Sequence, residues 1–344
     1  MVAMTQEGTY ALGDWPLSGG GVLRDARLGY GIWGEPNAAR DNFVVLPTFF
    51  SGAHADYAPL IGAGRALDPD RFCIVGLDLF GNAVSSSPSN AHSSQSGADF
   101  PAVSLVDSVR AQHRFLTEAL GMRSVALAAG WSMGGMQSYH WAAAWPEIVK
   151  RILPWCAAAR CAPQNRLFLH GLEAALTADA AFAGGHYAEP PERGVRAFAR
   201  VYLPWVYSAD FYRREGWREL GFDSLAALAD AWEADQLSRF DANDLISKMR
   251  AWGEGDVASW ADGDFRAAMG RVRAHAVLLP CRTDMLFTIE DNARDDALLP
   301  NAELRAVHSD RGHAAGRPGT DPVFDRALEE ALGDLLEDYR QGEH

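Results

Sequence analysis

The sequence lacks any run of about 18 apolar residues, so it predicts no membrane-spanning helix. Residues 1–21 lack the basic start and apolar stretch of a secretory signal, and we therefore expect a cytoplasmic protein. The four cysteines form neither a C-x-x-C pair nor a Cys/His spacing typical of zinc. This pattern favours free thiols in a reducing compartment and predicts no metal site.

Basic residues are scarce, with 31 Lys and Arg against 45 Asp and Glu and a net charge of -14. A surface this acidic repels phosphate backbones and anionic membrane surfaces, so we expect neither nucleic acid nor a membrane as a partner. The charge can equally serve solubility alone. The 344 residues, 48% of them hydrophobic, fit one large α/β domain or a core domain with an inserted subdomain.

Short apolar runs bounded by turn residues predict strands buried in a parallel sheet. These runs lie at residues 42–46, 72–77, 124–129, 274–280 and 302–307. Between the second and third runs, apolar residues from Leu105 onward recur at helical spacing. Ser104 and Asp107 form a capping signal before this helix, and Gly121 ends it. Alternating strands and helices predict a doubly wound α/β sheet.

The amino-acid composition changes between about residue 161 and residue 264. Ala-rich and Leu-rich helical stretches dominate there, and aromatic residues are frequent. Strand character then returns at residue 274. We predict a core formed by residues 1–160 and 265–344, with a helical lid inserted at 161–264. The aromatic residues are explained by core packing, or alternatively by an apolar acyl pocket beneath the lid.

The strongest motif is the G-x-S-x-G sequence centred on Ser132, which reads Gly-Trp-Ser-Met-Gly at residues 130–134. It follows a predicted strand and precedes a helical stretch, which is the setting of a nucleophile elbow. Glycines allow the tight turn, and the helix N-terminus favours developing negative charge. We predict Ser132 as a nucleophile and the amide of Met133 as an oxyanion donor. The alternative is a Gly-rich turn with a helix-capping serine.

A serine hydroxyl becomes a good nucleophile when a histidine, held by a carboxylate, takes its proton. After a nucleophile elbow the expected chain order is serine, acid, histidine. Asp284 follows the next-to-last predicted strand and His313 follows the last one. Competing residues are His308, which we expect to be buried at the end of that strand, and Glu290 and Asp291 on the next helix. The order favours Asp284 and His313.

A second oxyanion donor is expected from the loop after the first buried strand, at residues 47–52. The amide of Phe49 or that of Phe50 is the candidate, and the residues leave this choice open. Loss of one such donor costs on the order of 10²–10³ in rate.

The segment Gly-Trp-Ser-Met-Gly-Gly-Met-Gln at residues 130–137 resembles the nucleophile segment of homoserine O-acetyltransferases. Other segments similar to this family lie at residues 99–112, 184–200, 240–243 and 284–287. The resemblance extends from roughly residue 25 to the end of the chain. It implies the α/β-hydrolase fold, with a mostly parallel sheet flanked by helices and an inserted helical lid. It also implies a triad of Ser132, Asp284 and His313, and a homodimer.

The chain departs from this family at the positions that recognise homoserine. Ala314 stands where the family has an aspartate that holds the substrate amine, directly after the catalytic histidine. The carboxylate-binding arginine of the family falls near Glu173, with Arg166 close by. Trp131 replaces a glycine beside the nucleophile. Charged recognition groups are hard to replace, so we do not expect homoserine as the substrate, and Trp131 and Arg166 are our substrate-binding candidates.

These residues predict a serine-dependent enzyme that needs no cofactor and passes through an acyl-enzyme intermediate. Loss of the acceptor-binding groups favours water as the acceptor, so we expect a hydrolase of carboxylic esters, or less readily of amides. The alternative is an O-acyltransferase that uses acetyl-CoA or another acyl-CoA with an acceptor other than homoserine. A non-catalytic binding protein on the same fold is a remote alternative.

Overall fold

The protein was analysed as a computed structural model that describes residues 2–337. An eight-stranded sheet forms its centre, in the order β1-β2-β4-β3-β5-β6-β7-β8. The strands are β1 Gln6–Pro16, β2 Val22–Trp33, β3 Phe43–Pro47, β4 Cys73–Leu77, β5 Val125–Trp131, β6 Arg151–Trp155, β7 His275–Leu278 and β8 Ala302–Leu304. Strand β2 pairs antiparallel with β1 and β4, and the other neighbours are parallel. The predicted α/β-hydrolase fold class is confirmed.

Helices cover both faces of the sheet. They are α1 Leu105–Glu118, α2 Met133–Ala144, α3 Pro163–Thr177, α4 Glu192–Val206, α5 Ala209–Arg213, α6 Leu225–Arg239, α7 Ala242–Gly253, α8 Phe265–Gly270, α9 Ile289–Asp296 and α10 Pro322–Leu335. Alternate residues of β3 point to opposite faces, so Val45 packs with α1 and α2 while Val44 packs with α10. None of the helices within residues 2–337 has the length and hydrophobicity needed to cross a bilayer.

Each predicted apolar run overlaps a strand of the sheet, although β3 and β5 extend one and two residues beyond their runs, and the capping signal of α1 is confirmed. The Ser104 hydroxyl accepts from the Asp107 amide at 3.2 Å, and the Asp107 carboxylate accepts from the Ser104 amide at 2.9 Å. Helix α10 ends at Leu335, and residues 338–344 lie outside the described part of the chain.

Strands β1, β2 and β6 were not predicted from the sequence. Strands β1 and β2 form an edge hairpin whose exposed faces carry polar residues, so no apolar run marks them. Strand β6 is short and contains Pro154. Neither the β1–β2 hairpin nor the short strand β6 forms a hydrophobic run long enough to predict a strand.

Helices α3 to α7 follow β6 and precede α8 and β7 in the chain, as the predicted insert requires. We call residues 163–260 the helical insert. Its side chains share a buried cluster with the loop after β3 and with the start of α2, for example Phe198 and Trp252 with Phe50 and Met133. The insert therefore covers the carboxyl ends of the central strands. Its existence as a separate domain, with boundaries at 161 and 264, stays a prediction.

Candidate active site

Ser132 occupies a strained turn between β5 and α2, with φ of 57° and ψ of -124°. A non-glycine residue in such a conformation costs about 1–3 kcal/mol and persists where the surroundings enforce it. A Cβ atom at Gly130 would overlap the backbone of Gly134, and one at Gly134 would overlap the carbonyl oxygen of Pro47. The glycines of the motif are therefore required by the close approach of neighbouring backbone, which places the buried serine at the end of the strand.

The side chains of Ser132, His313 and Asp284 form one continuous hydrogen-bonded chain. The Oγ atom of Ser132 lies 3.0 Å from Nε2 of His313, and Nδ1 of His313 lies 2.7 Å from Oδ2 of Asp284. His313 belongs to the short 3₁₀ helix Gly312–Gly316, after β8. All three residues are buried. This geometry allows the imidazole to take a proton from the serine while the carboxylate holds its other nitrogen.

The Asp284 carboxylate is oriented by backbone amides that follow it in the chain. Its Oδ1 atom accepts from the amide of Leu286 at 2.8 Å and from that of Phe287 at 3.1 Å. The carbonyl of Leu286 in turn accepts a hydrogen bond from the Asn165 side chain of α3. Oδ2 is thereby directed at His313, and the helical insert helps to hold this turn.

The imidazole of His313 lies between two aromatic rings. Trp131 stacks on it with a centroid separation of 5.0 Å, and Phe287 stacks at 5.5 Å. Phe287 is itself stacked on Trp252 of the insert at 5.6 Å. These rings restrict rotation of the imidazole and cover its faces.

The competing residues lie elsewhere. His308 is exposed, so our expectation that it would be buried is wrong. It directly follows Val307, which is buried and still pairs with Cys281, so the alternation of side chains directs His308 toward solvent. Glu290 and Asp291 lie in α9, as expected.

The loop Thr48–Ala53, which we call the oxyanion loop, packs against the nucleophile turn. The Phe49 ring contacts that of Trp131 at 4.6 Å, and the Phe50 ring faces Phe198 and Trp252 of the insert. Within the described part of the chain, neither amide of Phe49 and Phe50 donates a hydrogen bond, and the same holds for Met133. All three candidate donors are thus available, and the choice between Phe49 and Phe50 stays open.

A cavity of about 160 Å³ reaches His313 from the surface. Its wall includes Trp131, Tyr202, Tyr207, Trp232 and Ala314, together with the polar residues Gln236, Arg311, Arg317 and Thr320. No carboxylate lies among the described residues that line it. Trp131 therefore stands where a substrate-binding residue is expected, and Ala314 leaves no group that would hold an ammonium.

The structure does not bring Arg166 to this cavity. Arg166 is exposed on α3 and lines a separate surface groove with His170 and Glu173. Our placement of Arg166 at the substrate site is wrong, because the periodicity of α3 turns this position outward. The arginines that do reach the cavity, Arg311 and Arg317, flank His313 in sequence, which is the signal that could have identified them.

The thiol of Cys156 lies beneath the triad. Its Sγ atom, a carboxylate oxygen of Asp284 and a ring nitrogen of His313 lie within 4.8 Å of one another, a composition that suits a metal ion. Asp284 and His313 are already joined by the 2.7 Å hydrogen bond, however. Burial raises the pKa of Cys156 well above its usual range, so the thiol is protonated and is a poor competing nucleophile.

Comparisons with known proteins identify relatives of this chain. Residues 41–185 match the sequence profile of a family described as alpha/beta hydrolase fold. The chain is 34% identical over 328 residues to an ethyl acetate hydrolase of Pseudomonas veronii, with 94% of both chains covered. It is 31% identical to a homoserine O-acetyltransferase of Trichormus variabilis, over 87% of this chain and 86% of that protein.

Among solved structures, that of the acetyl esterase MekB superposes with a TM-score of 0.93 at 34% identity, covering 97% of both chains. The similarity therefore extends over nearly the whole chain, including the helical insert, and includes both hydrolases and acyltransferases. The chain belongs to the α/β-hydrolase-fold family that comprises these acetyl esterases and the homoserine O-acetyltransferases.

Proposed function

We propose that this enzyme hydrolyses small carboxylic esters, acetate esters above all, with Ser132 as the nucleophile. The observation that carries the proposal is the continuous path from Ser132 Oγ through His313 to Asp284, at 3.0 and 2.7 Å. The similarity to an ethyl acetate hydrolase and to an acetyl esterase supports the ester class.

The proposed reaction has two halves. In the first, Nε2 of His313 takes the proton of Ser132 as the oxygen attacks the ester carbonyl. The resulting oxyanion accepts hydrogen bonds from the amide of Met133 and from that of Phe49 or Phe50. Protonated His313 then gives its proton to the departing alcohol, which leaves an acyl group on Ser132. In the second half, His313 activates water in the same way and the acid is released.

Water is the favoured acceptor because none of the described residues that line the cavity is a carboxylate able to bind an amino acceptor. Ala314 contributes only a methyl group at its wall. The runner-up is acyl transfer from acetyl-CoA or another acyl-CoA to an acceptor other than homoserine. It is supported by the acyltransferase relatives and by the two arginines at the cavity, whose charge suits a phosphate-bearing donor.

The size of the cavity predicts a preference for short esters. We expect kcat/KM for p-nitrophenyl acetate to exceed that for the octanoate by about 10- to 100-fold, since forcing excess methylenes into a packed site costs about 1–3 kcal/mol. Trp232→Ala should reduce this ratio because it widens the cavity wall. Trp145→Ala, which removes a tryptophan away from this cavity, should leave the ratio unchanged. Equal rates on both esters would contradict the prediction.

Acyl transfer can be separated from hydrolysis by mass spectrometry of the intact protein. We expect incubation with p-nitrophenyl acetate to add one acetyl group transiently to Ser132, and incubation with acetyl-CoA to add none. A stable increment from acetyl-CoA that is absent in Ser132→Ala would instead favour the transferase.

We further propose that the enzyme works in the cytoplasm and does not bind nucleic acid. The four free, buried cysteines and the net charge of -14 support these two assignments. A homodimer is proposed from the family resemblance alone, and light scattering coupled to size-exclusion chromatography would test it.

A further inference from the structure

A second buried carboxylate–histidine pair lies on the far side of the oxyanion loop from Ser132. His54 begins the 3₁₀ helix that follows the loop, and Asp78 follows β4. Oδ2 of Asp78 lies 2.6 Å from Nδ1 of His54, and Oδ1 accepts from the backbone amide of the same histidine at 3.0 Å. The buried carboxylate of Asp78 thus binds both the side chain and the backbone amide of His54, the residue directly after the loop.

Asp78 is also linked to the loop itself. The side-chain amide of Asn82 donates to Oδ1 of Asp78 at 2.8 Å and to the carbonyl of Gly52 at 3.3 Å. At the other end of the loop, Thr48 donates its amide to Leu77 at 2.9 Å. Both ends of the loop are therefore attached to the segment that surrounds the end of β4. Between them, the amides of Phe49 and Phe50 donate no hydrogen bond to any residue within 2–337.

The outer nitrogen of His54 has a partner as well. Its Nε2 atom lies 3.1 Å from Oε1 of Glu7 on β1, whose side chain is largely exposed. An imidazole between two carboxylates can satisfy both only when both nitrogens carry protons. Glycines occupy the adjacent positions on β2 and β4, where a Cβ atom at Gly31 or Gly76 would crowd the histidine. These two glycines therefore leave space for the imidazole ring of His54.

We propose that the His54–Asp78 pair is a positioning unit that sets the oxyanion loop for catalysis, and that His54 acts in its protonated form. The proposal rests on the proposed function, since the loop matters only if one of its amides binds an oxyanion. Misplacement of a catalytic group by about 1 Å can cost roughly 100-fold in rate. The pair therefore affects kcat without touching the substrate.

The charge state of His54 supports this role. Burial lowers the pKa of His54, but the hydrogen bonds and charges of Asp78 and then Glu7 outweigh burial, so that its pKa is raised overall. A raised pKa means that the contribution of His54 to stability is complete below its unfolded pKa, near 6.5, and is lost as the pH rises through its folded pKa. We expect kcat likewise to fall as the pH rises through the folded pKa of His54.

Other ionisable groups also contact the loop. Asp56 accepts from the amide of Ala53 at 2.9 Å, and Arg239 donates to the carbonyl of Ser51 at 2.7 Å. The test must also separate the effect of Lys248. Lys248 of α7 is buried, its ammonium lies 5.0 Å from the Phe50 ring centroid, and burial lowers its pKa to about 8. It therefore also loses charge on the alkaline side.

Asp78→Asn keeps the shape of the side chain and removes its charge. We expect kcat to fall about 10- to 100-fold while KM stays within about threefold, because only the transition state uses the loop amide. The affinity for a trifluoromethyl ketone, which forms an oxyanion on Ser132, should fall in parallel. Glu7→Gln is a conservative change at an exposed side chain, and this variant should fold normally. The pH at which its kcat falls on the alkaline side should be lower by about half a pH unit than in the wild type.

His140→Gln is the matched control. His140 is buried and accepts a hydrogen bond from Trp260 at 2.9 Å, away from the loop. Its loss should affect thermal stability but not kcat or ketone affinity. The inference is overturned if Asp78→Asn lowers only the melting temperature, or if the alkaline fall moves in Lys248→Met but not in Glu7→Gln. If wild-type turnover does not exceed that of Ser132→Ala, the proposed function fails, and this outcome is distinct from the other two.

Discussion

Replacement of Ser132 by alanine is expected to lower kcat for ester hydrolysis by about 10⁴-fold or more. The change removes the only oxygen within hydrogen-bond distance of His313 Nε2 among the described residues, so no acyl-enzyme can form. The variant should also lose all labelling by a fluorophosphonate probe. Because the serine hydroxyl makes no capping hydrogen bond to α2, we expect the fold to be retained.

Ser138→Ala is the control for this experiment. Ser138 is buried in α2 and its hydroxyl donates to the carbonyl of Gly134 at 3.1 Å, without contacting His313. We expect its turnover to remain within about threefold of the wild type, as for the loss of one ordinary hydrogen bond. Undiminished fluorophosphonate labelling of Ser132→Ala would show that another residue is the nucleophile.

The second large effect is expected from Asp284→Asn, which should lower kcat by about 10³- to 10⁴-fold with little change in KM. An amide at this position can donate its N–H to Nδ1 of His313, so the imidazole would carry its proton on Nε2 and could not accept the proton of Ser132. Labelling by the fluorophosphonate should slow to a similar extent, since it depends on the same activated oxygen.

Asp295→Asn provides the comparison. Asp295 is a buried carboxylate that accepts from the amide of Ala159 at 2.7 Å, and burial raises its pKa to about 6. This variant tests the general effect of removing a buried charge, and we expect it to change stability more than kcat. An equal loss of kcat in both variants, or a loss below about tenfold in Asp284→Asn, would remove Asp284 from the proposed triad.

Much of the fold could be predicted because its signals are local. The apolar runs of β3, β4, β5 and β7 reflect strands buried on both faces, and the capping box of α1 is a pattern within four neighbouring residues. Strands β1 and β2 escaped prediction because an edge hairpin needs no continuous apolar run. The hairpin nevertheless matters, since β1 supplies Glu7 to the His54 cluster.

The candidate site likewise contains some residues that the sequence predicts and others that it does not. Chain order in this fold selects Asp284 and His313, and the structure brings both to Ser132. Arg166 was misplaced because its side chain depends on the rotation of α3 against the core, which no local pattern reveals. The role of His54, one of ten histidines, could not be predicted from the sequence. Its partners Asp78 and Glu7 lie 24 and 47 residues away in the chain.

The sequence by itself determined the fold class, the nucleophile turn and the order of the serine, acid and histidine, because strand burial, tight turns and helix starts depend on neighbouring residues. Tertiary structure alone decided the shape of the cavity, the outward position of Arg166 and the pairing of His54 with Asp78. These features arise where segments distant in the chain pack together, and contact across such distances leaves no periodic trace in a single sequence.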